Sequence, residues 1–289
     1  MEDWKKSGQI TAKARDFARS LCKEGALYLD IAQKVEKKII ELGGKPAFPV
    51  DVSVNEIAAH DSPFPGDVRV LKKGDLVKVD IGSHIEGCVT DTAVTVEIGT
   101  TSHADLIKAS EEALEKAAAL AKEAGTRICD IGDVIAETIK KYKFTPISNL
   151  SGHGLGIFIV HDKPIIPNFN NNDQNKLVEG QHIAIEPFAT TGSGKVKDGK
   201  LAGIYHLARS GPVRVMNARK LLDFIAKEYS TLPFAARWWT KFPNYQFLLR
   251  ILEKDGIIQQ YTQLPEESKG LVSQAEHTVE VGYGVLTKI

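Results

Sequence analysis

Three cysteines, Cys22, Cys88 and Cys129, are too few and too far apart for a disulfide framework, and none stands in a Cys-x-x-Cys pair that would indicate a structural zinc. They read as small core or helix-face residues. Net charge is lacking too. The 37 basic and 37 acidic residues cancel, so no bulk field draws the chain to nucleic acid, an anionic membrane or an acidic substrate. Long hydrophobic runs are absent: nothing approaches the roughly 20 consecutive apolar residues of a membrane span. The start, Met1-Glu2-Asp3-Trp4-Lys5-Lys6, leads straight into an amphipathic segment without the apolar stretch of a leader. The expectation is a cytoplasmic globular protein, 289 residues long and 43% apolar, large enough for a substantial core.

What is present is strongly patterned. Apolar spacing predicts a helix from about Trp4 to Lys23 and another from about Tyr28 to Leu42, the second with Ile31, Val35, Ile39 and Leu42 on one face and Gly43-Gly44 as its stop. Leu76 to Ile81 alternates, Glu86-Gly87 supplies a turn and Thr90 to Val96 alternates again, which predicts a β-hairpin with Asp80 on one arm and Asp91 on the other. Ser102 with Asp105 reads as a capping box opening an Ala-rich helix that stops at Gly125, and Asp130 as the cap of a fourth helix, Ile131 to Tyr142. Asn168 to Asp173 reads as a polar surface loop.

The second half repeats a phrase of the first. Gly74-Asp-Leu-Val-Lys-Val-Asp80 can be laid on Gly180-Gln-His-Ile-Ala-Ile-Glu186, a turn glycine and an alternating strand that ends in a carboxylate each time. Two related halves meeting at a shared site would explain it. Between Glu186 and Glu276 the chain is far longer than a strand connection needs, and helical spacing over Val215 to Tyr229 and Asn244 to Lys254 predicts an inserted subdomain. Its helix pair is compatible with a helix-turn-helix, but helix pairs are ubiquitous and the charge is balanced, so nucleic acid is not the expected partner.

Asp80, Asp91, His153, Glu186 and Glu276 are candidate metal ligands. Four carboxylates and one imidazole would hold two divalent cations near electrical neutrality. Burying a carboxylate among Val77, Val79 and Ile81 demands a partner. A cation satisfies that demand; a buried salt bridge, or a turn-capping Asp91, is the plainer alternative. His153 stands between Gly152 and Gly154, which would expose its imidazole at a bend. Glu186 precedes Pro187, and Glu276 opens another alternating segment.

The motifs Lys78-Val-Asp-Ile-Gly82, Asp91-Thr-Ala93, Asn149-Leu-Ser-Gly-His153, Ala184-Ile-Glu-Pro-Phe188 and Gln274-Ala-Glu-His-Thr278 resemble the metal-ligand motifs of the methionine aminopeptidases, and Gly44 to Pro49 and Asn55 to His60 extend the match over nearly the whole chain. The insert before Glu276 resembles type 2 of that family, and the short N-terminal region resembles its archaeal form. The resemblance implies an α/β (α+β) pita-bread fold: one catalytic domain over 1–289, two pseudo-symmetric halves of antiparallel sheet flanked by helices, and a helical, winged-helix-like insert at approximately 209–262. It implies two divalent ions of Co, Mn, Fe or Zn, with Asp80 chelating one, His153 and Glu186 the other, and Asp91 and Glu276 bridging both. An oxygen-rich donor set with one imidazole suits those metals. Paired cations lower the pKa of water and stabilise an oxyanion, with Glu186 as the proton carrier. By the same resemblance His60 and His161 contact the substrate and support the transition state, while Phe48 and Tyr261 line the methionine pocket.

The implied activity is removal of initiator methionine from nascent chains with a small second residue, by a monomer with the ribosome only as a candidate partner. An Xaa-Pro peptidase of the same fold would share all five ligands, though such relatives carry a substantial N-terminal domain. A catalytically silent pita-bread binding protein would have lost ligands. The pattern departs from the common one at Asp61, where an aromatic is frequent, and at Ala275, where type 2 members often have Phe; both bear on pocket shape and turnover. Glu2 is long and charged, so small-residue specificity predicts that Met1 is retained.

Overall fold

A computed structural model describes residues 2–289, and Met1 lies outside them. The predicted helices form as Glu2–Leu21 and Tyr28–Glu41. Tyr28, Ile31, Ala32, Val35 and Ile39 are buried along one face of the second, and Gly43 ends it with φ +91°, a left-handed turn that a side chain would strain. Both helices cover a four-stranded antiparallel sheet whose long hairpin pairs Leu76–Ile85 with Cys88–Glu97. Its two-residue turn, Glu86-Gly87, has positive φ at both positions, the backbone that matches strand twist in a tight hairpin. Val77, Val79 and Ile81 join Ile31, Val35 and Ile39 in one core.

The second half repeats the plan. Helices Ala104–Ala121 and Ile128–Lys141 cover a five-stranded antiparallel sheet containing Ser151–Gly156, Ile159–Pro167, His182–Ile185 and His277–Glu280. A separate core, with Leu106, Ile131, Ile135 and Ile183, lies between them. Gly74 and Gly180, the paired glycines of the repeated phrase, share the left-handed conformation at φ +88° and +80°. The two antiparallel halves expected from the sequence are therefore both present.

Several local expectations differ. Ser102 makes no side-chain cap; Glu97 instead accepts from the backbone N–H groups of Ser102 (2.8 Å) and His103 (2.9 Å), satisfying free donors at the helix start. Asp130 lies inside the first turn of its helix and pairs with Arg127 at 2.6 Å. Asn168 is buried, its amide donating to Leu150 O at 3.1 Å, while Asn170 to Asn172 are exposed as expected of a surface loop.

A third core holds Leu221, Ile225, Phe234, Leu248, Leu252 and Ile258. Helices Met216–Tyr229 and Tyr245–Lys254 pack there with a three-stranded antiparallel sheet of Leu201–Leu207, Phe234–Ala235 and Ile258–Thr262. The segment thus has strands as well as the expected helices. Arg237, buried to 4% exposure, joins it to the first half by donating to Glu36, Ser62 Oγ and the carbonyls of Val50 and Pro63. Among the described residues no helix is long and apolar enough to cross a membrane, and all three cysteines are free and buried.

Candidate active site

The two halves face each other across a cavity of about 610 Å³, and its wall includes Asp80, Asp91, His153, Glu186 and Glu276. The hairpin register places Asp80 opposite Ala93 and Asp91 opposite Gly82, so the two aspartates are diagonal neighbours on one sheet face. A Cβ on Gly82 would fall 2.1 Å from the Phe48 ring. The glycine makes room for that ring, which lines the cavity beside the aspartates.

His153 is buried and not exposed as expected, within the strand Ser151–Gly156, whose pairing with Ile159–Pro167 shifts register between His153 and Gly154. Its flanking glycines serve the neighbours: a Cβ on Gly152 would lie 2.2 Å from Ala184 O, and one on Gly154 would lie 2.0 Å from Lys163 O. His153 Nδ1 is 3.1 Å from Gly154 O; a carbonyl can only accept, so Nδ1 carries the proton and Nε2 presents its lone pair to the cavity. Nε2 is 3.7 Å from Glu186 Oε1 and 3.9 Å from Asp91 Oδ2. Glu186 follows the strand His182–Ile185, and Glu276 sits between Val272–Gln274 and His277–Glu280, its N–H donating to Ala93 O at 3.3 Å.

Asp80 Oδ1, Asp91 Oδ1 and Glu276 Oε2 are buried without a hydrogen-bond partner. One ligand atom from each of Asp91, His153 and Glu276 lies within 4.8 Å of the others. Burial, then the charges of their neighbours, drives the Asp91, Glu186 and Glu276 carboxyls well above the usual range, and burial raises Asp80 to about 6. Burial and then His161 push His153 down to about 3. Carboxylates that repel one another beside a neutral imidazole form a donor set that fits divalent cations.

The remaining predicted residues meet at the same cavity. His60 has φ +61°, an uncommon backbone for a non-glycine residue, and burial pushes its pKa to about 4. The His161 ring packs edge-on against His153, with centroids 4.6 Å apart. Tyr261 is 5.3 Å from the His60 ring, 6.5 Å from His161 and 4.9 Å from His206. Phe48, His60, His161 and Tyr261 all line the cavity. Asp61 is turned elsewhere, into a pair with Arg69 at 2.7 Å, and Ala275 packs in the core of the second half.

Sequence reasoning missed three nearby residues. Gln274 donates to Asp80 Oδ2 at 3.0 Å and reaches Glu186 Oε2 at 3.5 Å; the signal was its place two residues before Glu276. His206 backs Tyr261, and no local pattern marks it. Asp51 lines the cavity; its acidic position in the alternating run Val50-Asp-Val-Ser-Val54 was the available clue.

The family model described as metallopeptidase family M24 matches residues 2–218. A methionine aminopeptidase of Pyrococcus abyssi is 48% identical over 279 residues, covering 95% of this chain and 94% of that protein. Among solved structures, a methionine aminopeptidase from Thermotoga maritima is similar at TM-score 0.73 and 25% identity, covering 100% of this chain and 96% of that one. A thermophilic Arx1 superposes at TM-score 0.84 with 17% identity, covering 98% and 89%. That last likeness concerns the fold alone.

Proposed function

This chain belongs to metallopeptidase family M24, and from that premise we propose that it removes the initiator methionine from nascent proteins whose second residue is small. The fold is the pita-bread fold of that family, and divalent metal use comes with it. The observation that carries the reading is the convergence of four carboxylates and the His153 imidazole on one cavity, in a chain that aligns nearly end to end with named methionine aminopeptidases.

In this reading Asp80 would hold one metal, His153 and Glu186 would hold a second, and Asp91 and Glu276 would serve both. Unpartnered oxygens on Asp80, Asp91 and Glu276 support that assignment. When bound, two divalent cations of Co, Mn, Fe or Zn supply Lewis acidity, lowering the pKa of water and polarising the scissile carbonyl. Glu186 takes the proton from the attacking water on its carboxylate and passes it to the leaving amine. His161, beside His153, donates to the developing oxyanion. His60 contacts the substrate near the scissile amide. Phe48 and Tyr261 wall the apolar side of the cavity, where an unbranched methionine side chain is buried away from water.

The substrates are then peptides with an N-terminal methionine, met as nascent chains, with the ribosome a candidate partner, by a cytoplasmic monomer. We also read approximately 209–262 as a subdomain inserted into a single catalytic domain, supported by its separate core around Leu221, Phe234 and Leu248.

The test is an assay of metal-stripped and metal-restored protein on Met-Ala-Ser and on an Xaa-Pro peptide. Metal-dependent release of methionine from the first alone is expected; cleavage only before proline would replace this reading with the Xaa-Pro one.

A further inference from the structure

At the candidate ligands the two halves meet without a common sheet. The strand Cys88–Glu97, which carries Asp91, pairs with Leu76–Ile85, whereas His277–Glu280 belongs to the five-stranded sheet of the other half. Threonine side chains cross the gap. Thr278 Oγ1 accepts from Asp91 N–H at 2.7 Å and donates to Asp91 O at 2.8 Å. In the other direction Thr92 Oγ1 donates to Glu276 O at 2.7 Å. Thr95 Oγ1 continues the seam, accepting from Gln274 N–H at 2.9 Å and donating to Gln274 O at 2.6 Å. All three threonines are buried.

A hydroxyl is both donor and acceptor, so one side chain can satisfy the N–H and C=O that a ladder partner would otherwise serve. Here those bonds fall on the backbones of the residues whose carboxylates meet. Thr278 of the second half holds Asp91 of the first, and Thr92 of the first half holds Glu276 of the second. Ligand atoms of Asp91 and Glu276 lie within 4.8 Å of each other and of His153, so a small slip between the halves would change that spacing. Neither Thr92 nor Thr278 lines the cavity. We propose that Thr278 and Thr92 are positioning residues, whose hydroxyls lock the Asp91 and Glu276 backbones against each other and so set the separation of the two carboxylates. The inference rests on the metal reading above.

The experiment titrates metal-stripped wild type, Thr278→Val, Thr278→Ser and Thr92→Val calorimetrically with manganese and melts each without metal. Thr190→Val is the comparison, because its buried hydroxyl also donates to a carbonyl, Leu271 O at 2.9 Å, and accepts an N–H, from Gly192 at 2.9 Å, with no candidate ligand involved. Both seam valine variants should bind manganese about 10–100-fold more weakly, the scale of losing a group that orients a metal ligand. Thr278→Ser should bind as wild type does. Thr190→Val should lower the melting temperature yet leave manganese affinity unchanged. If Thr278→Val does not fold, Thr92→Val, which loses a single bond, carries the decision. Wild-type affinity in the folded seam variants, equal weakening in Thr190→Val, or failure of serine to restore binding overturns the proposal. A wild type that binds no manganese removes the metal reading and the proposal together. If wild type binds manganese and the seam variants weaken it, but no protein cleaves Met-Ala-Ser, the activity reading fails while the positioning role stands.

Discussion

Gln274 donates its side-chain amide to Asp80 Oδ2 over 3.0 Å, bridging from the strand before Glu276 to the central hairpin of the other half. Its contact with Glu186 Oε2, at 3.5 Å, is weaker. One amide therefore orients two candidate ligands from opposite halves. Replacing it with leucine keeps the volume and removes the donor. Gln274→Leu is expected to lower divalent-cation affinity by about 10–100-fold while the fold is retained, as read by calorimetric titration with manganese beside a thermal melt.

Gly82 lies under the Phe48 ring, where a methyl group would fall 2.1 Å from a ring carbon. Gly82→Ala forces that ring to move within the cavity. The KM for Met-Ala-Ser should rise by about tenfold, in the range of a one-methylene misfit in an apolar pocket. Manganese affinity should change much less, and steady-state kinetics with a metal titration separate the two.

Arg237 and Glu36 form an ion pair with both side chains buried, and Trp238 Nε1 donates to the other Glu36 oxygen at 2.9 Å. Removing the arginine strands a carboxylate away from water. Arg237→Met is expected to cost about 3–5 kcal/mol in denaturant unfolding. Adding Glu36→Gln should recover part of that loss, because the stranded charge goes with it.

Glu266 is fully buried and accepts hydrogen bonds from the backbone and hydroxyl groups of Ser193 and Ser268 and from Gly270 N–H. Burial raises its pKa, but the bonds from Ser193, Gly270 and Ser268 outweigh that and hold it at about 2. Its folded pKa is depressed below the ordinary glutamate value of 4.5, so its contribution is complete above that value and is lost as pH falls toward about 2. Glu266→Gln should cost roughly 2 kcal/mol at neutral pH. The wild-type and variant stability curves should converge in acid, which denaturant melts between neutral pH and pH 2.5 would record.

The helices and the main hairpin were legible to within a few residues. Tyr28 to Glu41 follows directly from its apolar spacing, and Glu86-Gly87 names its own turn. Caps were less legible. A helix start takes whatever acceptor the fold supplies, and Glu97 reaches the N–H groups that Ser102 was expected to serve. The insert's sheet was not legible locally, because Leu201–Leu207 finds its partners about thirty and fifty-five residues further on, with Tyr205 opposite both Phe234 and Gln260.

Residue types and local spacing were enough to nominate Asp80, Asp91, His153, Glu186 and Glu276, because ligand chemistry and strand alternation are written over short stretches of chain. Which of them meet was decided by strand register and by the closing of two halves, both set by contacts between residues far apart in order. Asp51 shows the difference most clearly. In the chain it is one polar residue in an alternating strand, and only its register with Asp80 makes it a second buried carboxyl beside a candidate ligand at the wall of the cavity.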